Sequence, residues 1–135
     1  MPVDTVGIVV ISHSRRLAEG VAELAREMGM GGVAVEPAGG DVGGGLGTSL
    51  ELVERAVGAA HSGAGVVLLA DVGSSVLTAK TYLQDRTEDG EVGMVVLADA
   101  PLVEGAVAAA SAAAGGADLA GVAGAASEAY DIRKT

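Results

Sequence analysis

Short apolar runs alternate with helical segments along this chain, and the alternation predicts an α/β domain. The runs occupy residues 6–11, 33–35, 65–70 and 92–98. Because they lack the apolar–polar alternation of a half-exposed strand, each is typical of a strand buried on both faces of a parallel sheet. We therefore predict a doubly wound, mainly parallel four-stranded sheet with helices on both faces.

Apolar residues at helical spacing mark the segments between these runs. The three stripes, of which the third is the weakest, are Leu17, Val21, Leu24 and Met28; Leu50, Val53, Val57 and Ala60; and Val76, Ala79 and Leu83. A fourth helix is predicted from Pro101 to Ala114, since proline suits a first helical turn. The fifth, from about Asp118, carries Leu119, Val122, Ala126 and Tyr130. The last two stripes are thin, which suggests that one helix packs on a second subunit.

Composition limits the kind of core and the kind of partner. A chain of 135 residues is expected to form one domain, residues 1–135, and its core must be aliphatic because Phe and Trp are absent. The net charge is 8 − 18 = −10, which disfavours nucleic acid and anionic membranes and favours a partner with a basic face. With no signal-type segment and no long apolar span, we expect a cytoplasmic protein without membrane insertion.

His13 is the strongest candidate for a reactive side chain in this pattern. It follows the first predicted strand, and residues at that position line the ligand crevice of open α/β sheets. In the flavodoxin-like strand order 2-1-3-4, strands 1 and 3 are neighbours, so Asp71 after the third strand would lie beside His13. A carboxylate there fixes the tautomer of the ring and makes its free nitrogen a better nucleophile.

Three predicted helix starts lie on the same rim as His13. Ser14 and Ser74 stand at two of them, and Thr48 with Glu51 has the spacing of a capping box for the second helix. Unpaired N–H groups at helix starts suit a phosphoryl group, and Arg16 would add positive charge. The predicted phosphate-supporting residues are Ser14, Arg16, Gly47, Thr48, Gly73 and Ser74.

The sequence matches none of the nucleotide-binding or zinc-binding motifs that its glycines and histidines would suggest. Residues 39–47 contain six glycines and form either a flexible connector or an active-site flap, but Thr48 follows Gly47 where a phosphate loop needs lysine. The dinucleotide fingerprint is missing after the first strand. The chain has no cysteine, and its two histidines are 48 positions apart, which is not a zinc pattern. We therefore expect no cofactor and no metal bound by this chain.

The assembled blocks resemble the phosphotransferase subunits of bacterial dihydroxyacetone kinases, the DhaM family, which have the mannose-type enzyme IIA fold of the sugar phosphotransferase system. The resemblance lies in residues 10–14, 16–17, 19–21, 23–25, 47–48, 71–74 and 100–105. It implies that His13 is phosphorylated and that Asp71 is its hydrogen-bonded carboxylate. It also implies phospho-HPr, charged from phosphoenolpyruvate, as donor, ADP on the DhaL subunit as acceptor, the DhaK subunit as the site of dihydroxyacetone, and a homodimer.

Three other readings stay open at this point. The chain could be a regulatory enzyme IIA-like domain that is phosphorylated on His13 and acts through protein contacts. It could be a hydrolase or mutase with a phosphohistidine intermediate, although such sites usually need a second acid–base group and only His61 remains. It could also be a flavodoxin-like module that binds a ligand without chemistry.

Overall fold

The sheet has the predicted order. In the computed structural model, which describes residues 4–88, 90 and 94–135, four strands form one sheet in the order β2-β1-β3-β4. All neighbouring pairs run parallel, and the strands are β1 (Gly7–Ser12), β2 (Val35–Gly39), β3 (Val66–Ala70) and β4 (Val95–Leu97). The predicted doubly wound α/β fold is confirmed.

Helices cover both faces of this sheet. They are α1 (Arg15–Met28), α2 (Leu50–Ala60), α3 (Ser74–Glu88), α4 (Leu102–Ala114) and α5 (Leu119–Glu128), with a 3₁₀ turn at Ala129–Asp131. Residues of β1 alternate between two aliphatic cores, with Ile8 and Val10 facing α1, α4 and α5, and Val9 and Ile11 facing α2 and α3. Within the described ranges, no helix has the length and apolar character needed to cross a bilayer.

The second strand lies later in the chain than predicted. The apolar run at 33–35 suggested a strand there, but β2 begins at Val35 and continues through Glu36 and Pro37. This sequence is tolerated because β2 is an edge strand with β1 as its neighbour in the sheet. The start of the fourth predicted run, residues 92 and 93, lies outside the described residues, and β4 is described from Val95.

The buried face of α1 differs from the predicted stripe. Val21 is buried, but Leu17, Leu24 and Met28 are 43%, 44% and 45% exposed. The face that packs on the sheet is built from small residues: Ala18, Val21, Ala22 and Ala25. Alanines bring the helix close to the sheet, so the longer side chains fall beside the contact and not within it. Tyr130 is likewise exposed, because the last turn tightens after α5, and its hydroxyl donates to Asp99 Oδ1 at 3.0 Å.

Gly39 makes the close approach of β2 to α1 sterically feasible. A Cβ at this position would lie 2.6 Å from the Ser14 carbonyl oxygen and 2.7 Å from both Arg15 Cα and Ala18 Cβ. Two of these three atoms belong to the backbone, which cannot turn aside as a flexible side chain can. The end of β2 and the start of α1 are therefore in contact through the missing side chain.

We expect Gly39→Ala to destabilise the fold by about 1–3 kcal/mol, because the added methyl group overpacks a rigid contact. Gly58→Ala is the matched control, since a Cβ at Gly58 meets no atom within 4 Å and the residue is exposed in the interior of α2. That control is expected to gain up to about 1 kcal/mol from helix propensity. Urea unfolding measures both, and equal changes in the two variants would contradict the packing argument.

Candidate active site

His13 lies in the short link between β1 and α1. β1 ends at Ser12, and Ser14 is the N-cap of α1, where its side-chain oxygen accepts the Leu17 N–H at 3.1 Å. The extended backbone of an N-cap residue turns the chain sharply from strand to helix. His13 therefore stands at the carboxyl rim of the sheet, and its side chain is 31% exposed.

The adjacency of β1 and β3 brings Asp71 to the same point. Ile11 pairs with Ala70 in the sheet, and the Asp71 N–H donates to the Ile11 carbonyl at 3.0 Å. The side chains that follow the two strand ends are therefore in contact, and His13 Nδ1 lies 3.0 Å from Asp71 Oδ1. The structure thus brings together the two residues that the sequence places at the topological switch point.

Asp71 is surrounded by hydrogen-bond donors. Its Oδ1 accepts the Val72 N–H at 2.7 Å, and its Oδ2 accepts the Ser12 hydroxyl at 2.8 Å and the His13 N–H at 3.1 Å. Burial raises the pKa of Asp71, but hydrogen bonds from the Ser75 side chain, Val72, Ser12 and His13 outweigh it and lower the pKa to about 2. The carboxylate is ionised at neutral pH.

The ionised carboxylate determines which nitrogen of His13 is free. A carboxylate can only accept, so Nδ1 carries the proton that it donates to Asp71. In the neutral ring the lone pair is then on Nε2, on the side away from Asp71. Ser74 Oγ lies 2.5 Å from Nε2, and its hydroxyl donates to that lone pair. The geometry thus leaves Nε2 as the ring nitrogen that carries the lone pair.

Two helix starts face His13 directly. At α1 the Ser14 hydroxyl takes the Leu17 N–H, while the N–H groups of Arg15 and Arg16 have no intrahelical partner. At α3, Gly73 has a φ of +48°, which lets the chain turn from Asp71 into the helix that begins at Ser74. Both starts are places for an anion.

Arg16 lies on the surface at the first turn of α1. It lines a cavity of about 220 Å³ with Ser14, Arg15, Gly44, Gly45 and Leu46. No ion pair of Arg16 is formed with any residue in the described part of the chain. Its guanidinium is therefore available at the rim, next to the N-cap that follows His13.

The predicted role of Thr48 as a helix cap is wrong. α2 begins one residue later than the capping-box spacing suggested, and Ser49 accepts the Leu52 N–H at 3.3 Å. The Thr48 hydroxyl is instead 2.7 Å from the Thr78 hydroxyl on α3, so it is already engaged and does not cap α2. Gly47 does reach the site, since its N–H donates to the His13 carbonyl at 3.0 Å.

The glycine-rich loop at residues 39–47 is folded around one side chain. Asp41 Oδ1 accepts the N–H groups of Gly43 and Gly45, both at 2.9 Å, as in an Asx turn. The Gly40 N–H donates to the Ser12 carbonyl at 3.1 Å, and Gly47 bonds to His13. Both ends of the loop are thus attached to the end of β1, which fixes the backbone on either side of the histidine.

Two residues of this network, Ser12 and Ser75, were not selected from the sequence. Ser12 is the last residue of β1, and Ser75 follows the predicted Ser74; both are fully buried. Ser75 Oγ lies 3.2 Å from His13 Nδ1. A serine that ends an apolar strand beside a histidine was the available signal, since a buried hydroxyl needs a polar partner.

Comparison with known proteins assigns the chain to a family. The model of the EIIA-man family, described as the PTS system fructose IIA component, matches residues 7–123, a range that includes His13 and Asp71. The chain therefore belongs to the mannose-type enzyme IIA family. A crystal structure of the protein EF1359, of unknown function, has a TM-score of 0.81 and 29% identity, with 97% of each chain covered.

Within this family the chain is similar to subunits named DhaM, which confirms the resemblance seen in the sequence. It is 40% identical over 111 residues to the phosphoryl donor subunit DhaM of the phosphoenolpyruvate-dependent dihydroxyacetone kinase of Klebsiella michiganensis, with 77% of this chain and 22% of that protein covered. The Escherichia coli subunit of that name is 36% identical over 117 residues, with 84% and 25% covered. The subunit DhaM of kinase 2 of Listeria innocua is 32% identical over 105 residues, with 78% and 83% covered.

The chain thus spans a quarter or less of the first two relatives and most of the third.

The lowered pKa of Asp71 predicts a pH-dependent share of the stability. Because the pKa falls from 3.8 to about 2 on folding, the carboxylate stabilises the fold above pH 4 and loses this effect as the pH falls toward 2. Asp71→Asn is expected to lower the free energy of unfolding by about 2 kcal/mol at pH 7. This gap between the wild-type protein and the variant should close between pH 4 and pH 2.

Urea unfolding across this pH range measures the gap. Asp85→Asn, which removes the same charge from an exposed position on α3, is expected to change stability by less than about 0.5 kcal/mol. A gap for Asp71→Asn that stays constant from pH 7 to pH 2 would contradict the predicted linkage.

Proposed function

We propose that this protein is a phosphohistidine carrier: Nε2 of His13 accepts a phosphoryl group from one protein and passes it to an acceptor on another. The observation that carries this proposal is the His13–Asp71 pair, in which an ionised carboxylate holds Nδ1 and leaves Nε2 as the free lone pair. Family membership supports it, and so does the name phosphoryl donor subunit that the DhaM relatives carry.

The pair suits reversible transfer. The Nε2 lone pair attacks phosphorus, the bond from phosphorus to the donor nitrogen breaks, and that electron pair returns to the donor ring. No proton has to move, because Nδ1 keeps its proton throughout. The phosphorylated ring is cationic, and Asp71 at 3.0 Å supplies the opposite charge. A carboxylate with a pKa of about 2 remains charged in every step.

Ser74 serves both states of His13 in this proposal. Its hydroxyl donates to the Nε2 lone pair in the resting protein and must rotate away when the donor arrives. Once the phosphoryl group is on Nε2, the same hydroxyl can donate to a phosphoryl oxygen. The N–H groups at the start of α3, together with those of Arg15 and Arg16, provide further donors to this anion.

The proposed partners rest on the resemblance to the DhaM family. Their names describe a phosphoenolpyruvate-dependent dihydroxyacetone kinase, which supports phosphoenolpyruvate as the source of the phosphoryl group. We infer phospho-HPr as the immediate donor from the family resemblance. The acceptor would be ADP on the DhaL subunit, which serves dihydroxyacetone bound to DhaK. In this scheme the chain holds no cofactor of its own and forms a homodimer.

The first test is phosphorylation of His13. We expect the protein, incubated with phosphoenolpyruvate, enzyme I and HPr, to gain the mass of one phosphoryl group, and His13→Ala to gain none. His61→Ala is the matched control and should be fully phosphorylated, because His61 Nδ1 is engaged with the Gly63 N–H away from Asp71. Phosphate on His13→Ala would exclude His13 as the carrier.

Adding the ADP-bearing DhaL subunit to the phosphorylated protein separates the two nearest functions. Loss of phosphate from His13 with formation of ATP is the result expected for a carrier in the kinase. Phosphate that stays on His13 would favour the regulatory enzyme IIA-like domain, which is phosphorylated but acts through protein contacts.

Asp71→Ala is expected to slow phosphorylation of His13 by roughly 10²-fold or more, because the ring loses both its orientation and its counter-charge. Quench-flow with intact-mass detection measures the rate, and circular dichroism checks that the domain remains folded. A normal rate in a folded Asp71→Ala protein would show that the carboxylate has no part in transfer.

A further inference from the structure

Two buried hydroxyl groups converge on the pair formed by His13 and Asp71. Among the described residues, Ser12 and Ser75 are the two polar side chains with 0% exposure, in a core of aliphatic side chains and Tyr82. One ends β1 and the other is the second residue of α3, so they are 63 positions apart in the chain (75 − 12 = 63). A buried hydroxyl is unfavourable unless it is hydrogen-bonded. Ser12 bonds to Asp71 Oδ2, and Ser75 Oγ lies 3.2 Å from His13 Nδ1, the ring atom that contacts Asp71.

Ser12 fixes one oxygen of Asp71. Its hydroxyl donates to Oδ2 at 2.8 Å, since an ionised carboxylate can only accept. Its oxygen accepts the N–H of Ser14 at 3.0 Å, which ties the hydroxyl to the N-cap of α1. The direction of the Ser12 hydroxyl is therefore determined at both ends, and with it the rotation of the carboxylate.

Ser75 acts on the other side of the carboxylate, next to the ring. Its oxygen lies 3.2 Å from His13 Nδ1, and hydrogen bonding from its side chain helps to lower the pKa of Asp71. The Nδ1 proton thus meets two acceptors, the Asp71 carboxylate and the Ser75 oxygen, whereas Nε2 faces the Ser74 hydroxyl as a donor. The carboxylate, which can only accept, selects this tautomer of the neutral ring, and both serine contacts are compatible with it.

We propose that Ser12 and Ser75 are positioning residues, which orient Asp71 so that His13 is held as the Nδ1–H tautomer with Nε2 as the reacting atom. Neither serine touches the transferred group. The consequence for phosphoryl transfer rests on the proposed function, but the consequence for the tautomer does not. The two can therefore be tested separately on the same protein.

The tautomer of His13 can be measured against an internal reference, because the chain has a second histidine, His61. His61 Nδ1 accepts the Gly63 N–H at 3.0 Å, so neutral His61 carries its proton on Nε2 and serves as an internal reference of the opposite tautomer. In ¹⁵N-histidine spectra at a pH where both rings are neutral, we expect His13 to be protonated on Nδ1 and His61 on Nε2.

The test compares Ser12→Ala, Ser75→Ala and the double variant with Ser62→Ala. Ser62 donates to the Thr5 carbonyl at 2.9 Å near the other end of β1, so Ser62→Ala removes a serine hydrogen bond far from the site. In the double variant we expect the Nε2–H share of His13 to rise several-fold, with His61 unchanged. The control should retain the wild-type spectrum.

The same proteins are then phosphorylated by the phosphoenolpyruvate, enzyme I and HPr system. The double variant is expected to be phosphorylated roughly tenfold more slowly or worse, since fewer rings present the Nε2 lone pair. If a variant fails to fold, as seen in its backbone amide spectrum, the single variant that folds carries the comparison.

The outcomes distinguish the two proposals. A wild-type tautomer and a wild-type rate in the folded variants would overturn the positioning role while the carrier function stands. A wild-type protein that takes no phosphate would overturn the carrier function, whereas the shift of tautomer in the variants would still support the positioning role.

Discussion

β1 and β3 lie side by side with no strand between them, and the site depends on that adjacency. Ile11 pairs with Ala70, so the residues that follow each strand, His13 and Asp71, emerge within hydrogen-bond distance. The helices after β1 and β3 pack on opposite faces of the sheet, which is the arrangement that defines a topological switch point. The parallel register of two strands thus sets the position of both residues more accurately than a flexible loop could.

Much of this geometry could be predicted from the sequence. The apolar runs of β1 and β3 predict buried strands, and the flavodoxin-like strand order places His13 beside Asp71. β2 was misplaced because its sequence, with Glu36 and Pro37, is not apolar: an edge strand needs less hydrophobicity than a central one. Thr48 was misassigned because a capping pattern does not show whether the hydroxyl is already bonded to another helix.

The two buried serines show a different limit. Ser12 and Ser75 look like ordinary strand-end and helix-start residues, and their importance lies in a contact between segments far apart in the chain. Local patterns predict caps and turns, but they do not reveal which hydroxyl meets a given carboxylate. The buried face of α1 was predicted wrongly for a related reason. Leu17 and Leu24 lie at helical spacing and suggest the buried stripe, but alanines of α1 form the contact with the sheet.

Pro37 has a further consequence for the free edge of the sheet. The neighbours of β2 that bond to β1 are Ala34 and Gly40, so even-numbered positions face β1 and Pro37 faces outward. Proline offers no N–H to an approaching strand, and Glu36 adds charge next to it. The outer edge is thereby a poor template for strands of other chains. A protein whose proposed work consists of brief encounters gains from this, because chance collisions along β2 do not turn into lasting aggregates.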